Sequence, residues 1–366
     1  MSFLSRTLTQ QWFLVLLFFM VGLGLLYPQP GMWVNRSVGT TPFVFVLLFL
    51  TSMAFDVSQL LAGFRKPLAI VLSLSGTYLF MPALLYAAAW PLGLETPLGV
   101  GLVVMGAVPT TLASAAVWTR LAGGNAALCV AMVVISNALN CLVAPLVLHV
   151  TLGQVIDRPL LPIVQELVLI VLLPLALGQL TACWVMPRFW PLRSGTAVRS
   201  VPLRGGSNAR PSDVVVLPPA WWIVPTSVLS RILLALVVLQ AASRAAQEAG
   251  KSLSCGSADS GPSLTVGLAV LLVVLCVAVH ALVVALLYIL ALGTDLARED
   301  LIAVIMTGGQ KTLPVGLTLL SQYFEQHTMG VLSMVVYHAV QLIFDTFLIE
   351  LFRRRKTEIE SPVPKT

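Results

Sequence analysis

The stretch AVIMTGGQKTLPVGLTLL, residues 303–320, is apolar enough to enter a lipid bilayer but carries helix-breaking and polar residues at its centre. These central residues are Gly308, Gly309, Gln310, Lys311, Thr312 and Pro314. We expect them to interrupt a membrane helix and to place a lysine at membrane depth. Because lipid offers no hydrogen-bond partner, irregular backbone and a buried charge are tolerated there only beside protein or a watery cavity. The stretch is therefore a candidate functional site.

A second stretch resembles the first at a distance of 201 residues along the chain. Residues 103–105 and 111–112 match residues 304–306 and 312–313 at that single offset. One interpretation is chance, because short matches arise easily in a chain rich in valine and leucine. The other is an internal repeat with one interrupted helix in each half, and paired breaks of this kind point to a transporter's substrate site.

The whole chain is strongly apolar. Of its 366 residues, 58% are hydrophobic and only 10% are charged, and its mean hydropathy is +0.95, outside the range of soluble globular domains. A helix needs about 20 apolar residues to cross the hydrocarbon of a bilayer. Ten runs of about that length predict an all-α polytopic membrane protein with ten transmembrane helices: 11–27, 42–61, 67–90, 98–120, 126–149, 161–186, 222–242, 263–291, 299–321 and 328–352.

The order of these runs predicts two halves joined by a polar segment. Residues 1–150 form a first five-helix repeat, residues 151–186 begin the second, and residues 221–352 complete it. Residues 187–220, rich in proline and arginine, are interpreted as a cytoplasmic loop, and residues 353–366 as a basic cytoplasmic tail. With both termini in the cytoplasm, the 21 Lys and Arg fall mostly on the inner side, so the net charge of +6 reflects topology in the plasma membrane. The expected partner is therefore the lipid bilayer and no nucleic acid.

Polar residues around the earlier break and on the next run are candidates for contact with a substrate or ion. They are Pro109, Thr110, Thr111, Ser114, Asn137 and Asn140. Pro109 removes a backbone donor and frees carbonyl groups next to the hydroxyl side chains. Asn137 and Asn140 are three residues apart and share one helix face, where they serve either as packing contacts or as lining of the site.

A polar stripe marks the last apolar run. His338, Gln341 and Asp345 recur at spacings of three and four, which puts them on one helix face directed at protein rather than lipid. We interpret Asp345 as a candidate counter-ion for Lys311. His338 and His280 are candidate proton relays, with a hydrogen-bonded core histidine as the alternative for His280.

The sequence carries no signature of an enzyme or of a bound metal. The four histidines, His149, His280, His327 and His338, are scattered without a metal-binding spacing, and no nucleotide-binding loop is present. We therefore expect no covalent chemistry, and no cofactor other than a coupling ion, Na⁺ or H⁺.

Two segments resemble a known transporter family. Residues 106–148, GAVPTTLASAAVWTRLAGGNAALCVAMVVISNALNCLVAPLVL, and QKTLPVG at 310–316 resemble the bile acid:sodium symporter family, nearest the branch of the orphan seventh member of solute carrier family 10. The resemblance implies panel and core domains, two inverted five-helix repeats, and interrupted helices four and nine that cross at the binding site. It also implies alternating access and a small organic anion as substrate, such as a bile acid, a sterol conjugate or a small carboxylate.

The same resemblance implies where sodium ions would bind. The family's symporters use hydroxyls and an asparagine on helices four and five, and an acidic residue and a glutamine on helix nine. Ser114 and Gln310 fall on matching positions. The other positions carry residues without a side-chain oxygen, namely Ala115, Cys129, Val133 and Met306. The sequence therefore argues against sodium coupling.

Lys311 stands where the sodium ligands are missing. A lysine near the bilayer centre costs about 2.5–3.5 kcal/mol even on the mildest scale, so its presence calls for a role. We hypothesise that it supplies a fixed or titrating positive charge at the crossing, replaces sodium in balancing helix-end dipoles and binds an anionic substrate. The alternative is that it only binds carbonyl groups of the broken helices. The expected function is a secondary active transporter of a small organic solute. The alternative is a non-transporting membrane regulator or sensor of the same fold.

Overall fold

The computed structural model describes residues 12–53, 63–153, 160–185, 200–202, 214–216, 220–254 and 265–360. They are helical apart from short connections and one antiparallel pair of strands, β1 (Ser200–Pro202) and β2 (Val214–Val216). The apolar part of the chain is therefore all-helical, as its composition predicts. Most of the predicted loop 187–220 and the end of the predicted tail lie outside the described residues.

The first half contains α1 (Trp12–Leu26), α2 (Gln29–Ser37), α3 (Thr41–Ser52), α4 (Pro67–Ser75), α5 (Met81–Ala89), α6 (Pro97–Ala107), α7 (Leu112–Leu121) and α8 (Ala126–Leu152). A π-helical turn, Gly76–Phe80, joins α4 to α5. Side-chain oxygens cap two of these helices by accepting hydrogen bonds from free backbone N–H groups. Thr96 Oγ1 accepts from Gly99 N (3.2 Å) at α6, and Asn125 Oδ1 accepts from Leu128 N (3.1 Å) at α8.

The second half contains α9 (Leu160–Leu167), α10 (Leu173–Leu180), α11 (Ala220–Ser254), α12 (Val266–Leu292), α13 (Arg298–Gly308), α14 (Leu313–Tyr323) and α15 (Val331–Glu360). A π-helical turn, Val168–Leu172, joins α9 to α10, and a 3₁₀ turn, Glu325–Gly330, precedes α15. Thr265 caps α12, where its Oγ1 accepts from Leu268 N (3.2 Å).

Several helical segments are long and apolar enough to cross a bilayer, which makes the chain a polytopic membrane protein. Among the described residues they are Pro67–Leu92, Ala126–Leu152, Leu161–Trp184, Val228–Glu248, Val266–Leu292 and Glu325–Arg353. The helices α1 and α2, bent by 97° at their junction, add a seventh if they count as one span.

Two of the predicted spans are broken into half-helices. The run 98–120 contains α6 and α7, separated at residues 108–111, and the run 299–321 contains α13 and α14, separated at residues 309–312. At 1.5 Å per residue, the 11 residues of α6 or of α13 cover about 16 Å, roughly half of the hydrocarbon core. The predicted interruptions are confirmed, and neither half-helix crosses the bilayer alone.

The half-helices α6, α13 and α14 lie largely inside the protein, whereas other helices face outward. Most residues of α6 and α14 are buried. In contrast, α12 exposes Val270 and Val274 (57% each), which are apolar side chains suited to contact with lipid. Gly308, at the end of α13, allows close packing, because a Cβ there would lie only 3.0 Å from the backbone oxygen of Ser73. The fold thus surrounds both breaks with protein.

Candidate functional site

The two breaks lie side by side and are joined by hydrogen bonds. Thr312 N donates to Pro109 O (2.9 Å), and Thr110 Oγ1 donates to Thr307 O (2.9 Å). Backbone groups freed in one break therefore find partners in the other, as irregular backbone requires when water is excluded. The structure brings together the two breaks that the sequence pairs.

Proline explains the first break. The helix α6 ends at Ala107, and Val108 is extended, with φ −72° and ψ 160°. This conformation is the one that a following proline favours, because the ring of Pro109 clashes with a helical residue before it. The side chains of Thr110 and Thr111 lie buried in the break itself. The first break thus presents hydroxyl groups and free carbonyl groups to its surroundings.

Glycine and proline explain the second break. The helix α13 ends at Gly308, and Gly309 N donates to Ile305 O (3.2 Å) as the chain leaves the helix. Thr312 is extended, with φ −87° and ψ 128°, and Pro314 occupies the first turn of α14, where a missing N–H costs nothing. After Gly309 the chain leaves the helix, and the N–H groups of Lys311 and Thr312 donate to partners outside it, Gln341 Oε1 and Pro109 O.

Lys311 is fully buried, and its ammonium group binds three backbone carbonyl groups. Nζ donates to Thr77 O (2.6 Å), Gly106 O (2.6 Å) and Val108 O (2.7 Å). It also lies 5.6 Å from the centre of the Tyr78 ring, within range of a cation–π interaction. An ammonium group has three donors, so all of them are used. In this arrangement no N–H donor of Lys311 remains for a ligand, and its role in binding an anionic substrate stays a prediction.

The backbone of Lys311 is held by Gln341 on α15. Lys311 N donates to Gln341 Oε1 (2.9 Å), and Gln341 Nε2 donates to Lys311 O (2.8 Å). His338 Nδ1 lies 3.0 Å from the same Nε2. Gln341 and His338 thus position the broken backbone, and the role of His338 as a proton relay stays a prediction.

Asp345 is bound to His280 and Gln310 instead of Lys311. His280 Nε2 lies 3.1 Å from Asp345 Oδ1, and Gln310 Nε2 donates to Asp345 Oδ2 (2.6 Å). The Tyr337 hydroxyl lies 3.3 Å from His280 Nδ1 on the other side of the ring. Among the described residues Lys311 has no ion-pair partner. The carboxylate and the ammonium group are bound by separate sets of groups, so the structure shows no direct pairing of the candidate counter-ion Asp345 with Lys311.

Ser114 and Gln310 continue this polar chain into the first break. Ser114 Oγ donates to Gln310 Oε1 (3.1 Å) and lies 3.2 Å from Thr111 Oγ1. These two residues are the ones at matching sodium-ligand positions, and here they bond to each other. The remaining positions hold only buried apolar or thiol side chains, namely Ala115, Cys129, Val133 and Met306. This set does not fit a hard cation that prefers oxygen, so we derive no step through a sodium ion at these positions.

The two asparagines on α8 are fully buried and incompletely hydrogen-bonded. Asn137 Nδ2 donates to Thr110 O (3.1 Å) and Val133 O (2.9 Å), but Asn137 Oδ1 has no partner among the described residues. Both amide atoms of Asn140 likewise lack a partner in this part of the chain. An unpaired buried amide costs about 1–3 kcal/mol, which makes these atoms the candidate contacts for a polar ligand.

The carbonyl of Thr77 is a site group that the sequence candidates missed. In the π-helical turn, Met81 N donates to Gly76 O, one residue earlier than in an α-helix. The next residue, Pro82, has no N–H to donate, so the Thr77 carbonyl remains free for Lys311. A proline five residues after a threonine is the sequence signal, but it becomes readable only once the π-turn is known.

The fold and the site together define a class of protein. Broken helices that meet inside an apolar helical membrane protein are typical of secondary transporters. The sequence profile of the SBF-like CPA transporter family matches residues 11–354, and the chain belongs to that family.

Three relatives agree with this assignment. The chain is 26% identical to a protein of Arabidopsis thaliana named as a probable sodium/metabolite cotransporter, BASS4, chloroplastic, over 94% of this chain and 72% of that protein. It is 29% identical to the uncharacterized sodium-dependent transporter YocS of Bacillus subtilis, over 50% of this chain and 54% of that protein. It is 24% identical to YfeH of Escherichia coli, whose name describes a symporter, over 88% and 86%. The chain is a transporter homologue and not an enzyme.

Proposed function

We propose that the protein is a secondary active transporter that carries a small organic anion across the cell membrane by alternating access. In this proposal ten transmembrane helices form two inverted repeats, α6–α7 and α13–α14 are helices four and nine, and both termini are cytoplasmic. The main support for this proposal is that two broken helices are hydrogen-bonded to each other inside the protein, because substrate sites of secondary transporters lie where such helices meet.

Reciprocal hydrogen bonds between the breaks support the inverted repeat. Thr110 and Lys311 are 201 residues apart, as are Gly106 and Thr307. Thr110 donates through its side chain to the carbonyl of Thr307, and Lys311 donates through its side chain to the carbonyl of Gly106. Each break therefore contacts the equivalent position of the other. Chance similarity between two apolar sequences gives no reason for this reciprocity.

The helix after each break adds a second correspondence. Asn137, on α8, donates its amide N–H to the backbone oxygen of Thr110 (3.1 Å). Gln341, on α15, donates its amide N–H to the backbone oxygen of Lys311 (2.8 Å). Equivalent carbonyl groups are thus bound by an amide from the next helix in both halves, which supports five helices per repeat with the broken helix fourth.

Charge and unpaired amides support an anionic substrate. The buried Lys311 ammonium group acts on a ligand through its electric field, since its three donors are used. The side chains of Asn137 and Asn140 supply the direct polar contacts in this proposal. The resemblance to bile acid symporters favours a bile acid, a sterol conjugate or a small carboxylate. The relative named a sodium/metabolite cotransporter favours a small metabolite in general.

The poor fit to sodium supports a second candidate function. The buried side chains at four of the matching positions offer no oxygen ligand, although two relatives are named for sodium. A chain without sodium ligands at these positions has two possible functions. It is either a transporter coupled to protons or to no ion, or a regulator that keeps the fold and only binds a ligand.

Ligand screening followed by exchange distinguishes the two functions. Purified protein is heated with bile acids, sulfated steroids and small carboxylates, each in sodium, in potassium and at several pH values. We expect an organic anion to raise the Tm equally in sodium and potassium, and Asn140→Leu to reduce that rise. The anion is then tested for counterflow in proteoliposomes. Exchange supports a transporter, whereas binding without exchange supports a sensor and contradicts the proposal.

A further inference from the structure

We propose that the carbonyl oxygens of Thr77, Gly106 and Val108 form a binding site for a monovalent cation, and that the ammonium group of Lys311 occupies it as a tethered cation. The three oxygens lie 2.6, 2.6 and 2.7 Å from Nζ. This carbonyl site differs from the side-chain positions that the family resemblance implies for sodium. The site would bind a singly charged cation that interacts with three oxygen atoms.

The sequence explains why three carbonyl groups are available at one point. The helix α6 ends at Ala107, before the residues that would donate to the carbonyls of Gly106 and Val108. The third oxygen, of Thr77, is free because Pro82 lacks an N–H in the π-helical turn. Two proline-dependent irregularities, in different parts of the chain, therefore direct free carbonyl oxygens at the same atom.

Electrostatics favour a charged occupant. The carbonyl end of a helix carries about half a negative charge, and two of the three oxygens belong to the end of α6. Unwound carbonyl groups and half-helix carboxyl ends are the groups that hold cations in transporters with broken helices. A protonated amine supplies three N–H donors to three acceptors, whereas a neutral amine has only two. The geometry thus matches an ammonium ion.

A tethered cation has a consequence for coupling. A free sodium ion enters and leaves with each cycle, but Lys311 cannot leave, so this site contributes a constant charge and no exchangeable ion. The consequence for transport rests on the proposed function, whereas the cation site itself does not. An experiment that measures binding through stability therefore separates the two claims.

Chemical rescue tests the site directly. Lys311→Ala removes Cγ, Cδ, Cε and Nζ, which together correspond to propylammonium. The full-length variant and the wild type are heated in one detergent with propylammonium, sodium, potassium or choline chloride at equal ionic strength, and with propan-1-ol as the uncharged analogue. We expect propylammonium, sodium or potassium, at several times its Kd, to raise the Tm of Lys311→Ala by about 2–4 °C. Wild-type protein should not respond, because its site is filled.

A control variant and a recovery measurement decide how each result is interpreted. Arg65→Ala removes an exposed charge and should respond to none of these cations. If Lys311→Ala is recovered only when propylammonium, sodium or potassium is present during extraction, that recovery supports the site. A Tm or a recovery of Lys311→Ala that is the same in propylammonium, sodium, potassium, choline and propan-1-ol overturns the proposal. Failure of the wild type to exchange substrate would overturn only the proposed transport function.

Discussion

The two breaks share a backbone plan but differ in charge. In each, a side chain reaches the carbonyl group at the end of the opposite half-helix, Thr110 to Thr307 and Lys311 to Gly106. The first contact uses a neutral hydroxyl with one donor, whereas the second uses an ammonium group that also binds two further carbonyl groups. The proposed repeat would account for the shared backbone contacts, whereas a single residue, Lys311, makes the site electrically asymmetric.

This asymmetry should appear in stability. A neutral hydrogen bond contributes about 0.5–1.5 kcal/mol net, whereas one to a charged group contributes about 1.5–3 kcal/mol. Equivalent positions in the two breaks should therefore respond unequally to the loss of their side-chain donors. Five substitutions, taken from the largest expected effect to the smallest, measure how far the difference extends.

Lys311→Met should have the largest effect. Methionine retains much of the apolar volume but leaves three buried carbonyl groups unpaired, so we expect a loss of about 3 kcal/mol or more. Thermal unfolding in a single detergent measures it. Arg65→Met, which also removes a positive charge but at an exposed position, is the matched control and should change stability little. Equal losses in the two variants would contradict the assigned contacts.

Asp345→Asn should come second. The carboxylate accepts from Gln310 Nε2 with one oxygen and lies beside His280 Nε2 with the other. An asparagine amide has only one acceptor oxygen, so its NH₂ group would face one of these two nitrogen atoms. We expect a loss of about 2 kcal/mol in thermal unfolding. Glu325→Gln, at an exposed carboxylate, serves as the control. An Asp345→Asn variant as stable as its parent would show that the buried carboxylate is not bound as described.

Local chemistry made the breaks predictable, but not the contacts of Lys311. Pro109 and the pair Gly308–Gly309 interrupt apolar runs whatever their surroundings, so sequence alone locates both breaks. The partners of Lys311 and Asp345 depend on how helices distant in sequence pack together. Lys311 and Asp345 lie in the same region of the interior, and their opposite charges suggest an ion pair from sequence alone. In the folded protein, helix packing places each of them next to other partners.

The bend between α1 and α2 was also missed, for a different reason. The predicted first span, 11–27, has the correct position and apolar character. The chain then turns by 97° into α2 and remains helical for nine more residues. Proline in the first turn of α2 is compatible with either a loop or a new helix, so local signals do not decide between them.

Gln341→Leu should cost more than Asn137→Leu. Loss of Gln341 leaves both the N–H and the carbonyl of Lys311 without these partners, whereas loss of Asn137 removes one donor to the carbonyl of Thr110. We expect losses of about 2 and about 1 kcal/mol, respectively. Both are compared by thermal unfolding against Asn140→Leu, which removes two unpaired amide atoms and should leave stability unchanged or raise it. The reverse order would argue against equivalent roles for the two amides.

Thr110→Val should have a small effect, similar to that of Asn137→Leu. It removes the hydroxyl donor to Thr307 and keeps the shape of the side chain, so the expected loss is about 1 kcal/mol. Thermal unfolding beside Lys311→Met gives the comparison between equivalent positions. A Thr110→Val variant as destabilised as Lys311→Met would remove the asymmetry between the two breaks.

The central claim is that the protein transports a solute at the point where the two breaks meet, and that Lys311 takes the place of an exchangeable cation there. Counterflow tests this claim most directly. Proteoliposomes are loaded with the anion found by thermal screening, and entry of its labelled form is measured in sodium chloride and in choline chloride. We expect equal exchange by the wild type in both salts, and a strong reduction in a Lys311→Met variant that remains folded. Binding without exchange, or exchange that requires sodium, would contradict the account.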